Sequence, residues 1–167
     1  MSVVISEYKD TLSKRFISEK QRLLSFLPGT LVIEHVGSSA VGVGGKNIID
    51  ILIGVSDKDE MFKIRDILKT NGYFEGYDSH DDRIFLASSE NETGDGDFHI
   101  HICPITCNSY RDFIILRDFL ISNPEKSKEY YNKKIEFANK AGFDHQKYKT
   151  LKSQYLAQLL SEIKTNL

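Results

Sequence analysis

Gly37-Ser38-Ser39 and the downstream Asp50 are the residues whose types and spacing could do chemistry together. A Gly-Ser turn offers backbone N–H groups and a hydroxyl, which is what a phosphate needs. Gly37 lets the backbone approach a ligand closely, and Ser38 can donate its hydroxyl. A short helix beginning at Ser39 would add the attraction of its N-terminus for anions. Further glycines at 42, 44 and 45 cost ordering entropy that a purely structural segment has little reason to bear. Asp50 is the one acid in the otherwise apolar run Ile48–Val55. A lone buried charge is very costly, so Asp50 requires a partner. The partner is either a hard cation bridging to phosphates, or a nearby Lys or Arg. Lys46 lies between turn and acid, placed to neutralise phosphate charge.

His99 and His101 form a second candidate group. His-x-His on a strand puts both imidazoles on one face, with Cys103 continuing the line and Phe98, Ile100 and Ile102 turned to the core. Such a pair could bind a transition metal or act as general base. The opposite register would bury the histidines as hydrogen-bonded core groups. Arg83 opens a strand and could clamp a phosphate. Arg117 falls on or beside the apolar stripe of its helix, where a guanidinium must be paired or point into a pocket. It binds a phosphate or carboxylate, or forms a structural pair with Asp118 or a sheet acid. Glu34 and His35 alternate faces just before the turn, so one of them points to the site side of the sheet.

The elements that must position these residues are legible from periodicity. Residues 7–27 have Leu12, Phe16, Leu23, Leu24 and Leu27 at helical spacing, stopped by Pro28-Gly29. Leu31–Val36 and Ile48–Val55 read as strands flanking the Gly-rich connection. Ser56-Asp57-Lys58-Asp59 caps a helix that buries Phe62, Ile64, Ile67 and Leu68 and ends at Asn71-Gly72. Tyr73–Tyr77, Arg83–Ser88 and Phe98–Cys103 are further strands, the last two joined by the acidic loop SSENETGDGD. Tyr110–Ile121 is a helix. Asn123 as cap and Pro124 at the first position start another that runs to Ala141-Gly142. A final helix carries Tyr148, Leu151, Tyr155, Leu159 and Ile163 on one stripe. The expected class is α+β: a mixed β-sheet backed by helices, with a helical C-terminal part.

A chain of 167 residues, 40% hydrophobic and 28% charged, is sized for one globular domain. The sheet core is expected over about 1–107 and the C-terminal helices over about 108–167. No apolar run approaches a membrane span, and the N-terminus lacks a signal-peptide pattern. With two cysteines, Cys103 and Cys107, a cytoplasmic protein with reduced thiols is expected. The Asn91-Glu92-Thr93 sequon has no meaning without export. A net charge of −2 argues against general nucleic-acid binding and favours a small-molecule partner. Residues 122–167 nevertheless carry nine lysines against five acids. That excess either faces an anionic substrate or is a solvated helical surface.

The run Ile33–Val41 with its Glu34-His35-Val36-Gly37-Ser38-Ser39 core, then Lys46 and Ile48–Leu52, resembles the GrpB family. His99-Ile100-His101, Leu116-Arg117-Asp118-Phe119-Leu120 and the stretch from Tyr130 through Lys152 match that family's pattern, so the resemblance covers nearly the whole chain. The family is similar to the nucleotidyltransferase superfamily typified by DNA polymerase beta. The resemblance implies a Gly-Ser motif holding a triphosphate, here Gly37 and Ser38. It also implies strand carboxylates holding two Mg²⁺ ions, of which Asp50 matches the first. Leu52 stands at the second acid's position and cannot bind a metal. The third acid's place falls about at His99 or His101. Val41-Gly42-Val43 replaces the Val-Pro-Gly of many members. Relatives fused to dephospho-coenzyme A kinase hint at nucleotide or coenzyme chemistry. The implied function is binding of a nucleotide or other phosphorylated small molecule with a divalent metal, Mg²⁺ or Mn²⁺ with Zn²⁺ as the softer choice, and nucleotidyl transfer to a small acceptor. Asp50, His99 and His101 would hold the metal or act as base, and Lys46, Arg83 and Arg117 would neutralise phosphate. The alternatives are a non-catalytic phosphate-binding module and a single-metal hydrolase built on Asp50 and the histidines.

Overall fold

The computed structural model describes residues 3–77, 80–90, 97–142 and 144–166. The sequon and most of the acidic loop lie outside them. Among the described residues, six helices and five strands follow one another: α1 Thr11–Leu24, β1 Val32–Val36, α2 Gly37–Val41, β2 Ile49–Val55, α3 Lys58–Thr70, β3 Phe74–Glu75, β4 Ile84–Ala87, β5 Phe98–Pro104, α4 Asn108–Ser122, α5 Pro124–Ala141 and α6 His145–Thr165. The strands form one mixed sheet in the order β1-β2-β5-β4-β3. Only the central β2–β5 pair is parallel; the others are antiparallel.

The two faces of the sheet do different work. Ile33, Ile49, Ile51, Ile53, Ile84, Leu86, Ile100 and Ile102 point to one side and form the main core with Leu12 and Leu23 of α1 and Met61, Ile64 and Leu68 of α3. The opposite side carries Val36, Leu52 and Cys103, covered by Tyr110, Phe113 and Ile114 of α4. Helix α4 approaches closely at Gly54, where a Cβ would lie 2.8 Å from the Tyr110 ring. Helices α5 and α6 then stack on α4 through Leu120, Tyr130, Leu159 and Ile163 and reach the Gly-rich connection at Val41 and Val43.

Three local departures from the sequence reading have clear causes. Helix α1 starts at Thr11, because Ser6 is held by a two-way backbone pairing with Gly45 (2.8 and 2.9 Å), which keeps the preceding segment extended. In α3 the neighbouring Met61 fills the core position and Phe62 stays exposed, under the Arg65 guanidinium at 5.0 Å. Leu24, at the end of α1, is exposed as well. At the α4–α5 junction Asn123 does not cap α5 with its side chain. Its amide instead donates to the Phe119 carbonyl (2.7 Å) and closes the end of α4. The α3 cap is as expected: Asp57 accepts from the Glu60 amide (2.9 Å), while Glu60 reaches back to Ser56.

Leu52 is fully buried between β1, β5 and α4. Leu52→Ala should therefore cost about 2–5 kcal/mol by cavity formation, read from urea unfolding. A loss below 1 kcal/mol would show that α4 packs loosely on this face.

Candidate functional site

The site grows from one turn. β1 pairs antiparallel with β2 so that Val36 lies opposite Asp50, and the chain leaves the strand at Gly37 directly over that carboxylate. Gly37 has φ +73°, a left-handed conformation that favours glycine. A Cβ there would also collide with Asp50 Oδ2 and sit 3.0 Å from Asp50 Cγ. Both backbone conformation and space therefore require glycine. Ser38 and Ser39 follow in the first turn of α2. Ser39 is buried, and its hydroxyl bonds His35 Nε2 at 2.8 Å. The His35 ring stacks on Phe16 with centroids 4.4 Å apart. Burial pushes His35 down to about 4 against the pull of Asp50, so it is neutral. Ser38 turns toward the glycines, with its Oγ 2.8 Å from where a Gly45 Cβ would stand.

His99 and His101 project from β5 on the same face as Asp50. His99 lies opposite Asp50 across the β2–β5 pair, and His99 Nδ1 and His101 Nε2 stand 3.7 and 3.6 Å from Asp50 Oδ1. The expected register is therefore present, with Ile100 and Ile102 in the main core. His101 is also buried, between the Phe85 and Phe113 rings. Burial works against ionisation of Asp50, but the polar contact with His101 and the attraction of His99, His101 and Lys152 outweigh it and hold the carboxyl below its usual range. Burial pushes His99 down to about 4 even though Asp50 pulls it up.

A shared metal would need the carboxylate and both imidazoles turned onto one point about 2.0–2.2 Å from each. Here both ring nitrogens face a single carboxylate oxygen. Among the described residues no group of three or more His, Cys, Asp or Glu side chains is arranged to hold a metal. Leu52, at the position of a second acid, is wholly inside the core. The donor set does not fit a two-metal centre.

The remaining candidates divide. Lys46 is half-buried and within electrostatic reach of His99. Of the pair preceding the turn, Glu34 points to the α4 side. Arg117 engages it at 2.8 Å and also donates to the Asp118 carboxylate (2.8 Å) and the His35 carbonyl (3.2 Å). Arg117 thus ties α4 to β1 as a structural pair. Arg83 precedes β4, whose first residue Ile84 lies opposite Ile102, and its guanidinium lies over Phe113 at 5.5 Å. That register sets the Arg83 backbone beside Cys103, roughly 13 Å along β5 from His99, while its guanidinium shares the Phe113 ring with His101.

Two lysines missed by the sequence reading complete the site. Lys134 sits in the buried stripe of α5 with Ser127, Tyr130, Phe137 and Ala141, and is only 2% exposed. Its ammonium donates to the Gly44 carbonyl, lies 4.7 Å over the Tyr130 ring, and is 3.4 Å from where a Gly45 Cβ would stand. Burial lowers Lys134 to about 7, helped by the like charge of Lys152 and opposed by Asp50. Lys152 of α6 is half-buried and acts electrostatically on both Lys134 and Asp50. A lysine inside an otherwise apolar heptad-like stripe was the available signal.

Comparison with known proteins gives a family and a fold. The family model described as "GrpB protein" matches residues 2–162. The Glutamate-rich protein GrpB of Alkalihalophilus pseudofirmus is 30% identical over 156 residues, covering 90% of each chain. The crystal structure of the conserved protein GrpB from Enterococcus faecalis superposes with a TM-score of 0.82 at 23% identity, covering 98% of each chain. The Cid1 poly(U) polymerase bound to MgATP aligns with a TM-score of 0.54 at 15% identity, over 78% of this chain and 45% of its own length. At these identities the structural likenesses show the fold, which is nucleotidyltransferase-like, as the resemblance implied.

The imidazoles give a pH signature. Unfolded histidine takes up its proton near 6.5, whereas His35 and His99 do so only near 4. The unfolded state therefore binds more protons between these values, and stability falls as the pH drops from 6.5 to 4. Asp50, held low when folded, adds a second loss below its ordinary 3.8. Urea unfolding at fixed ionic strength should show both windows, and His35→Gln should flatten the first. Constant stability from pH 7 to 4.5 would contradict the burial of these rings.

Proposed function

Because this chain belongs to the GrpB family and folds as a nucleotidyltransferase-like α+β protein, we propose that it binds a nucleotide or another phosphorylated small molecule at the Gly37-Ser38 turn above Asp50. The observation that carries this reading is the steric demand at Gly37, where only a bare backbone fits over the carboxylate. β1 ends over a half-buried carboxylate with a left-handed glycine and a following Ser-Ser pair, which brings backbone N–H groups and a hydroxyl together at one turn, as a phosphate needs.

The same geometry favours binding over two-metal nucleotidyl transfer. That chemistry needs carboxylates on both ions to stabilise attacking and leaving oxygens. Here Asp50 stands alone, Leu52 is core, and Glu34 is committed to Arg117. The chain is best read as a nucleotidyltransferase fold serving as a phosphate-ligand module.

A thermal-shift screen of nucleoside mono-, di- and triphosphates and coenzyme A precursors tests this directly. At least one should raise the melting temperature, since ligand at a hundredfold over Kd adds about 2.7 kcal/mol. Gly37→Ala should abolish the shift. Release of pyrophosphate from a nucleoside triphosphate would establish a transferase instead, and no response to any phosphorylated compound would remove the reading.

A further inference from the structure

A phosphate arriving at the Gly37-Ser38 turn meets the Asp50 carboxylate, a like charge. Something at the site must supply compensating positive charge. The neighbouring histidines are poorly suited to it: burial keeps His35 and His99 neutral near pH 7. Arg117 is engaged by Glu34 and Asp118, Arg83 lies by Cys103 and Phe113, and Lys46 acts on His99. Lys134 and Lys152 are different. They come from α5 and α6, they act electrostatically on Asp50, and Lys134 reaches under the glycine connection to within 3.4 Å of the Gly45 Cβ position, where Ser38 Oγ also points.

We propose that Lys134 and Lys152 supply the positive charge that metal ions supply in two-metal nucleotidyltransferases, so that this site binds a polyphosphate group without a divalent cation. The proposal rests on the phosphate-site reading above and adds the identity of the counter-charge. Its physical basis is the placement of Lys134. A lysine 2% exposed, on a stripe otherwise filled by Ser127, Tyr130, Phe137 and Ala141, gives up hydration for one carbonyl bond and a ring face. An ammonium has three N–H donors, and the Gly44 carbonyl takes one. A ligand oxygen beside Ser38 would take another. The groups facing Lys134 are Asp50 of β2, Lys152 of α6, Ser38 of α2 and the rings of Tyr130 and Tyr131. With only one carboxylate among them and burial disfavouring the charge, Lys134 is partly neutral near pH 7. A bound phosphate restores its proton, so binding above pH 7 takes up protons from the buffer.

Isothermal titration of the full chain with inorganic tripolyphosphate, in EDTA and then in Mg²⁺, tests the proposal. Binding should appear in EDTA. Lys134→Met and Lys152→Gln should each weaken it roughly tenfold to a hundredfold, the range for a lost charged hydrogen bond. Asp50→Asn should tighten it, because the like charge facing the phosphate is removed. At pH 8 the apparent enthalpy should depend on buffer ionisation enthalpy, with net proton uptake that disappears in Lys134→Met. Circular dichroism and melting check each variant's fold, and Lys152→Gln, at a half-buried position, decides alone if Lys134→Met does not fold. Binding that requires Mg²⁺ and is lost in Asp50→Asn overturns the lysine assignment while leaving the phosphate site intact. Wild-type affinity in both lysine variants also overturns it. Absence of binding in either condition removes the phosphate-site reading, and this inference with it.

Discussion

An ionised carboxylate on a central strand has to be compensated, and the compensation of Asp50 dictates the backbone around it. The imidazoles of β5 face one oxygen, and the turn after β1 closes over the other. That closure forces a residue with no side chain and positive φ at position 37. The next residues then enter α2 with Ser39 locked onto His35. A single half-buried charge thus fixes the end of β1, the start of α2 and the orientation of two serines. Nucleotidyltransferase folds place phosphate-binding turns and strand acids together. Here a Gly-Ser turn lies over Asp50, and Leu52 fills the core at the position of a second acid.

The C-terminal helices are part of the same arrangement. Lys134 holds the Gly44 carbonyl from below, while Ser6 pairs with Gly45 from the N-terminal side. Gly44 has no room for a side chain, since a Cβ would press on Tyr131 and the Ser6 carbonyl. The glycine connection is therefore gripped from two directions, and it passes between sheet and helices with little freedom. This gives the glycines at 44 and 45 a packing role beyond their closeness to the turn.

Much of this was legible in the sequence because the relevant signals are local. Alternation placed His99 and His101 on one face of β5, the Pro124 and Gly142 signals bounded α5, and the lone acid in an apolar strand identified Asp50. What escaped depends on long-range contacts. Whether Arg117 meets a ligand, Asp118 or Glu34 cannot be read from spacing, because Glu34 is 83 positions away in the chain. Ser6 leaves the helical pattern only because Gly45 captures it. The stripe spacing hints at Lys134, but only the packing of α5 on the glycine connection shows that it is an interior lysine.

The Lys134–Gly44 contact joins positions 90 apart in the chain, and this has a consequence for how the protein is made. At translation rates of roughly 5–20 residues per second, the glycine connection leaves the ribosome on the order of ten seconds before the lysine that grips it. The β1–β2 hairpin has no need to wait, since its partners are close in sequence, but its loop lacks the Lys134 contact during that interval. A nascent chain therefore carries Asp50 and the turn well before it carries the cations of α5 and α6. The lysine that closes this arrangement is thus added long after the strands it closes on.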